Sequence, residues 1–366
     1  MADGGNNRLG FVECLRLLAA LAVFAQHLAE HMPGVPALAG LRQAGPGLLG
    51  VLLFFLISGY VVPLSVSTPF AVGPFLARRL FRIYPALLAA FALVWALGAG
   101  GLVPGWGWLA TAGARTWAAN LLLVQDYAGA RPVLGVTWTL SVEFAWYGLF
   151  ALAFHRWGAG AGARLALALP LALAGLVAVS LAAGLRLPLG RLGFLYACAL
   201  GFLAFLHDRG LLSRRALLGH AALFVGVSSL VAVVEFGAFR HHAISLAQAL
   251  WPSLAAPALF LAAVLSPRLR SARLVNRGLL PAVGAASYSI YLLHPIGLAV
   301  GDRIGAVHGP VAGVIAALAV TGVLAALSYR LLERPGVALG RRLFARRLGA
   351  SGAVAGGGAS AAPVRG

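Results

Sequence analysis

The sequence predicts an all-α, polytopic membrane bundle of about ten transmembrane helices, and three observations carry that prediction. Of 366 residues, 61% are hydrophobic and 10% charged, with mean hydropathy +0.91, far outside the range of a soluble globular domain. The apolar residues form ten segments, 10–31, 46–67, 83–103, 137–155, 165–185, 190–206, 216–236, 243–265, 281–301 and 309–331. A hydrocarbon core takes about 20 helical residues to cross, and each segment is near that length. With the N-terminus in the cytoplasm, 20 of the 28 basic residues, all arginine, lie on cytoplasmic segments, 7 on outer segments and Arg16 within a span. That asymmetry predicts a multi-pass protein of the inner (cytoplasmic) membrane with both termini cytoplasmic.

The formal charge of +19 does not point to nucleic acid, because the arginines cluster at segment ends and not on one soluble face. Cys14 and Cys198 lie in apolar segments without CxxC spacing, so no disulfide or metal site is expected. Residues 1–347 read as one membrane domain, and the stretch 348–366, rich in Gly, Ala and Ser, as a disordered cytoplasmic tail.

The first span carries Glu13, Arg16 and His27, three ionisable groups where a plain membrane helix has none. It reads as a retained span and not a signal peptide, since its charges sit within the apolar run. Eleven residues at about 100° each bring Arg16 and His27 to one face, with Glu13 within about 40° of it. The two groups are then about 16 Å apart along the axis, enough to bind one end of a long substrate and react the other. A charge at mid-membrane costs roughly 2.5 to 3.5 kcal/mol, so such a seam is expected to face a cavity.

The second span contains Ser58-Gly59-Tyr60, where small residues suit close helix packing or a cavity wall. The next connection, 68–84, carries Arg78, Arg79 and Arg82 and ends at Pro85, read as a first-turn residue of the third span. Arg79 and Arg82 are three apart, so on a helical turn they would offer two forked donors to one phosphate. Residues 104–136 form the long outer segment, whose Leu-rich piece is too short to span and could deliver Asp126 towards the site. Glu143 is a second intramembrane carboxylate and shares a face with Thr139; Arg16 and His27 are its expected partners.

Spans five to eight read as scaffold, with Glu235 and Gln248 their main internal polar groups. In the ninth span Pro295 should free a backbone carbonyl next to His294. The tenth ends with Glu333, read as a surface ion pair between Arg330 and Arg334, and with Pro335, read as closing the helix. Glu13, Ser58, Trp138, Ser141, Tyr291 and His294 are the residues expected to line the substrate cavity.

Taken in order, these stretches resemble the acyltransferase 3 family of membrane-bound acyltransferases. The resemblance covers about Arg8 to Arg342 and rests on Arg16 with His27, Ser58-Gly59-Tyr60, Arg79 with Arg82, Trp138 to Glu143, Ser287-Tyr288 to His294-Pro295, and Glu333 to Pro335. Where the family commonly shows two adjacent glutamates, Phe144 follows Glu143, so a second carboxylate role does not carry over. The resemblance implies an O-acyltransferase that binds no cofactor and uses acyl-CoA, with acetyl-CoA the first candidate, as co-substrate. Arg16, Arg78, Arg79 and Arg82 would hold the donor, His27 would be the general base, and Glu143 or Asp126 would orient it. The acceptor would be a carbohydrate or a glycosylated compound. The same Glu, Arg and His set also suits a proton-coupled transporter or a lipid-linked sugar flippase.

Overall fold

The structure, a computed structural model, describes residues 10–66, 69–239 and 244–355, the last stretch as backbone alone over 345–355. All regular structure among these residues is helical. Among the described residues nine apolar helical stretches are long enough to cross a membrane, and one of them, Gly135–Ala183, spans 49 residues and folds back at Gly158 (φ 54°) into two helices. The ten spans are α1 Gly10–His31, α2 Gly47–Leu64, α3 Val72–Ala99, α4 Trp138–Trp157, α5 Ala161–Ala183, α6 Leu189–Asp208, α7 Arg214–Ala232, α8 Leu246–Leu265, α9 Ser287–His308 and α10 Pro310–Ser328. A further helix, α11 Arg334–Ala355, follows α10. The tail expected from residue 348 falls on helical backbone to Ala355 and then on residues outside those described.

At the centre lies α2, which packs on α1, α6 and α8. The α2–α6 crossing is close because it is built on glycine: a Cβ at Gly59 would collide with the Cys198 carbonyl, and one at Gly201 with the Leu56 carbonyl. Between helices already surrounded by lipid, such small-residue contact lets backbones approach and supplies the packing that water would otherwise drive. The packing expected of Ser58-Gly59 is therefore present, on the glycine.

Two boundaries differ from the sequence expectation. The third helix begins at Val72, not after the arginines, and runs 28 residues through Arg78, Arg79, Arg82 and Pro85. Pro85 lacks the N–H that would bond the Phe81 carbonyl, and Gly336 of α11 packs against that carbonyl. Pro335 likewise does not end the bundle. A π turn, Tyr329–Glu333, absorbs the register change, and Pro335 sits in the first turn of α11, where its missing N–H has no partner to lose.

The 104–136 segment folds back on the bundle as a 3-10 stretch, Pro104–Thr111, and a short helix, Ala114–Leu121. Two buried amides pin it. The Asn120 side chain accepts from the Val133 N–H (2.8 Å) and donates to the Thr116 and Arg131 carbonyls (2.9 and 3.0 Å). Gln125 reaches Thr137 Oγ1 and Ser141 Oγ at 3.3 and 3.5 Å.

Candidate active site

Along the polar face of α1 the seam divides into two spaces. Around Arg16 is a small chamber of about 70 Å³, lined also by Ser58, Arg82, Thr139, Glu143 and Tyr288. Around His27 is a cleft of about 440 Å³, lined also by Gln26, His31, Trp138 and His294. Tyr291 is in the wall of both. Its hydroxyl meets Thr139 Oγ1 at 2.9 Å and donates to the Val136 carbonyl at 3.2 Å, so the start of α4 and the turn before it hold the ring in place between them.

The chamber has two arginines and one carboxylate, Glu143, in its wall. Arg16 pairs with Glu13 at 3.6 Å, one turn earlier on α1. Arg82 has no hydrogen bond or ion pair among the described residues, although Glu333 and Glu143 are near enough to act on its charge and on that of Arg16. Arg82 and Arg16, on different helices, are thus the two guanidinium groups aimed into one space.

Arg79 is not the partner of Arg82 that the spacing suggested. On α3 the residues Phe75, Arg79, Ile83 and Leu87, four apart, form the buried seam. The Arg79 guanidinium lies over the rings of Phe75 and Tyr147, at 5.2 and 5.1 Å, and donates to Ser65 Oγ and the Val62 carbonyl. Its guanidinium is thus turned to the protein, whereas Arg82, about 60° round the helix, faces the chamber. Arg78 is half-buried near Gly340 of α11 and lines neither space.

At the cleft, His27 Nδ1–H donates to Glu30 Oε2 at 3.0 Å, while Gln26 Nε2 donates to the other carboxylate oxygen at 2.8 Å. A carboxylate can only accept, so the proton of this bond is on Nδ1, and in the neutral ring Nε2 is the atom that carries the lone pair. Glu30 is the residue the sequence reading missed, although its i+3 spacing from His27 was visible. The imidazole of His27 stacks on that of His294, centroids 5.4 Å apart and planes 18° apart. Pro295 leaves the Tyr291 carbonyl without its helical donor, and His294 Nδ1 fills that place at 2.7 Å. The carbonyl freed by Pro295 therefore lies where the sequence suggested, and it fixes the His294 tautomer. His294 Nε2 has no partner and is buried. On the cleft rim His31 meets Asp302 at 2.6 Å.

The remaining expected residues scatter. Glu143 lines the Arg16 chamber and accepts a short hydrogen bond from Tyr147, so it does not orient His27. Asp126 pairs with Arg191 on α6 at 2.7 Å, away from His27. Ser141 faces Gln125 and holds the outer segment; it lines neither the chamber nor the cleft. Glu13 braces Arg16 from beside the chamber. Glu333 is no surface pair: it is 5% exposed and accepts from Ser289 Oγ at 3.0 Å, because the π turn swings it inward.

A family described as an acyltransferase domain, acyltransferase 3, matches residues 9–330. Acyltransferase MdmB of Streptomyces mycarofaciens is 33% identical over 155 residues, which cover 40% of this chain and 39% of MdmB. BcsY of Komagataeibacter xylinus, named as a candidate membrane-bound transacylase, is 30% identical over 315 residues, covering 80% of this chain and 76% of BcsY. No solved structure matches. With nearly the whole bundle matched, and with its polar seam on the matched spans, this chain belongs to the acyltransferase 3 family of multi-pass membrane acyltransferases.

Proposed function

We propose that the protein transfers an acyl group from acyl-CoA, acetyl-CoA first among them, to a hydroxyl of a carbohydrate or glycosylated acceptor, with His27 as general base. The observation that carries this reading is the His27–Glu30 pair: Nδ1–H bonded to a carboxylate, Nε2 the acceptor of the neutral ring, in a cleft that meets, at Tyr291, a chamber with two guanidinium groups in its wall. A chamber of about 70 Å³ is far too small for a nucleotide. It suits the slim arm of the donor, with Arg16 and Arg82 as forked hydrogen-bond donors to carbonyl oxygens along its path. The 440 Å³ cleft is of the size that small-molecule sites have and is where an acceptor would sit.

The acceptor O–H gives its proton to His27 Nε2 as the oxygen attacks the thioester carbon. Glu30 stabilises the imidazolium that forms. The C–S bond then breaks, and the leaving thiolate takes the proton back from His27. Such base assistance is typically worth about 10² to 10⁴-fold. The arginine distribution supports a cytoplasmic donor side, with both termini cytoplasmic in an inner membrane, and hence an acceptor cleft at the outer ends of α1 and α9.

The test is purified protein in nanodiscs, incubated with labelled acetyl-CoA and fractionated envelope or metabolite extracts. Label should pass to a hydroxyl-bearing fraction in the wild type and not in His27→Asn. Transfer that is equal in the two proteins would remove His27 from the mechanism, and no transfer from any acyl-CoA would remove the donor assignment.

A further inference from the structure

Spans five to eight, which read as scaffold, enclose a third space. It measures about 530 Å³ and lies between α2, α5, α6, α7 and α8. Its wall is largely apolar, from Leu52 and Leu173 to Phe194 and Val231. Leu48, Trp138 and Ile244 line it and also line the His27 cleft, so the two spaces adjoin across the Trp138 indole.

Polar groups in that wall separate it from an ordinary lipid groove. Glu235 is 7% exposed, sits in the π turn Val233–Ala238 and accepts from the Gly190 N–H at 3.1 Å. Arg191 also lines the space, paired with Asp126 and lying 5.0 Å over the Tyr127 ring. π turns recur where a helix is distorted to aim a side chain, and this one places a carboxylate in the chamber wall. The acid and the guanidinium give the chamber a polar side beside its apolar one. A compound with an apolar body and hydroxyl groups uses both kinds of wall.

We infer that this chamber takes the apolar aglycone of a glycoside acceptor, seating it so that the attached sugar lies across Trp138 with a hydroxyl at His27. The inference rests on the proposed acyl transfer for the sugar's role, and names the acceptor class: an amphipathic glycoside and not a free polysaccharide. Aromatic rings such as the Trp138 indole have an apolar body and a polar N–H edge, which suits them to the boundary between aglycone and sugar.

The experiment uses the full chain in nanodiscs and a glucoside whose decyl chain carries a diazirine. Photolabelling is expected on α6 near Gly193 and on α7 and its π turn near Val231, and to be competed by unlabelled decyl glucoside. Gly193 is the place to fill the space, because a Cβ there meets nothing within 4 Å. In Gly193→Phe the label should leave these helices. With labelled acetyl-CoA, kcat/KM for decyl glucoside should exceed that for methyl glucoside by at least about tenfold in the wild type, and this ratio should fall towards one in the variant. A sterol glucoside run beside the decyl one separates a compact ring aglycone from a flexible chain. Ser228→Trp, on α7, gives a second way to fill the chamber if Gly193→Phe does not fold.

Label on other helices, a ratio unmoved by either filling variant, or equal labelling by a photoreactive phospholipid that decyl glucoside does not displace would overturn the inference. Label in the chamber with no acyl transfer from acyl-CoA would instead sink the donor reading and leave the glycoside site standing.

Discussion

His27 and Glu30 stand one turn apart near the end of α1, and Nδ1 of the first meets Oε2 of the second at 3.0 Å. The pair is partly exposed, with side-chain exposures of 38% and 44%, so solvent and an acceptor can reach it at the cleft. Substituting His27→Asn keeps a polar side chain of similar breadth but takes away the proton acceptor. Turnover is expected to fall by at least roughly 10²-fold, with donor affinity retained. Glu30→Gln keeps the shape and loses the charge that steadies the imidazolium, so kcat should fall by about tenfold or more while both KM values stay within about twofold. Steady-state kinetics on protein checked by size exclusion decides the matter; a Glu30→Gln enzyme with wild-type kcat would reduce the pair to a helix-end contact.

Arg82 and Arg79 should separate cleanly, though they are neighbours in sequence. Arg82→Lys puts a point charge where a planar fork faced the chamber, and is expected to raise the acyl-CoA KM with little change in Tm. Arg79→Lys loses two ring contacts and the bonds to Ser65 and Val62, and is expected to cost about 1 to 3 kcal/mol of stability. Thermal melts and donor titrations on both variants test the assignment. The opposite pattern would return Arg79 to the donor site.

Tyr291→Ala should join the Arg16 chamber to the His27 cleft, and Tyr291→Phe should not, because the ring remains. In the alanine variant, hydrolysis of acyl-CoA without acceptor is expected to rise relative to transfer. The ratio of free acid to acylated acceptor is the measurement. A ratio unchanged in Tyr291→Ala would mean that the ring does not divide the path.

At the α2–α6 crossing, Gly59→Val should be among the most damaging substitutions in the bundle. Its side chain would run into the Cys198 carbonyl, and relief requires the two helices to part. Overpacking of that kind costs about 1 to 3 kcal/mol or more, so the expected result is a loss of folded yield that Gly59→Ala shares in part. Folded yield after detergent extraction, normalised to Ser58→Ala, reports it.

The topology is testable on two exposed side chains in a Cys14→Ser, Cys198→Ala background. Tyr127 is 64% exposed in the segment between α3 and α4, and Leu274 is 69% exposed between α8 and α9. Tyr127→Cys should react with an impermeant maleimide from outside intact cells and Leu274→Cys only after lysis. The reverse pattern would invert the protein in its membrane.

Much of the bundle was legible in the sequence because lipid leaves the backbone only one way to satisfy itself, and length and hydropathy then locate the helices. The placing of Arg16 and His27 on one face, of Thr139 with Glu143, and of His294 beside the carbonyl freed by Pro295 follows from helical periodicity alone. What periodicity does not carry is which helix a polar face meets. Arg79 and Arg82 look alike on a wheel, and only the neighbouring rings of Phe75 and Tyr147 make one structural and leave the other facing a cavity. Glu333 looked like an exposed ion pair because a regular helix would have put it outside; the π turn before Pro335 changes the register. Glu30 was passed over for a related reason, since a carboxylate in the last turn of a helix reads as a solvated end until His27 is seen to turn towards it.

The ring of Tyr291 has a consequence for the membrane itself. A continuous water column between Arg16 and His27 would conduct protons, and each charge crossing the bilayer dissipates about 2.3 kcal/mol per 100 mV of potential. With the phenol clasped by Thr139 and Val136, the acyl group and the single proton that His27 returns to the thiolate are the parts of the proposed chemistry that have to pass that point. Transfer across the bundle would then move one proton per acyl group from the acceptor side to the donor side, and the bilayer would remain an insulator to everything else.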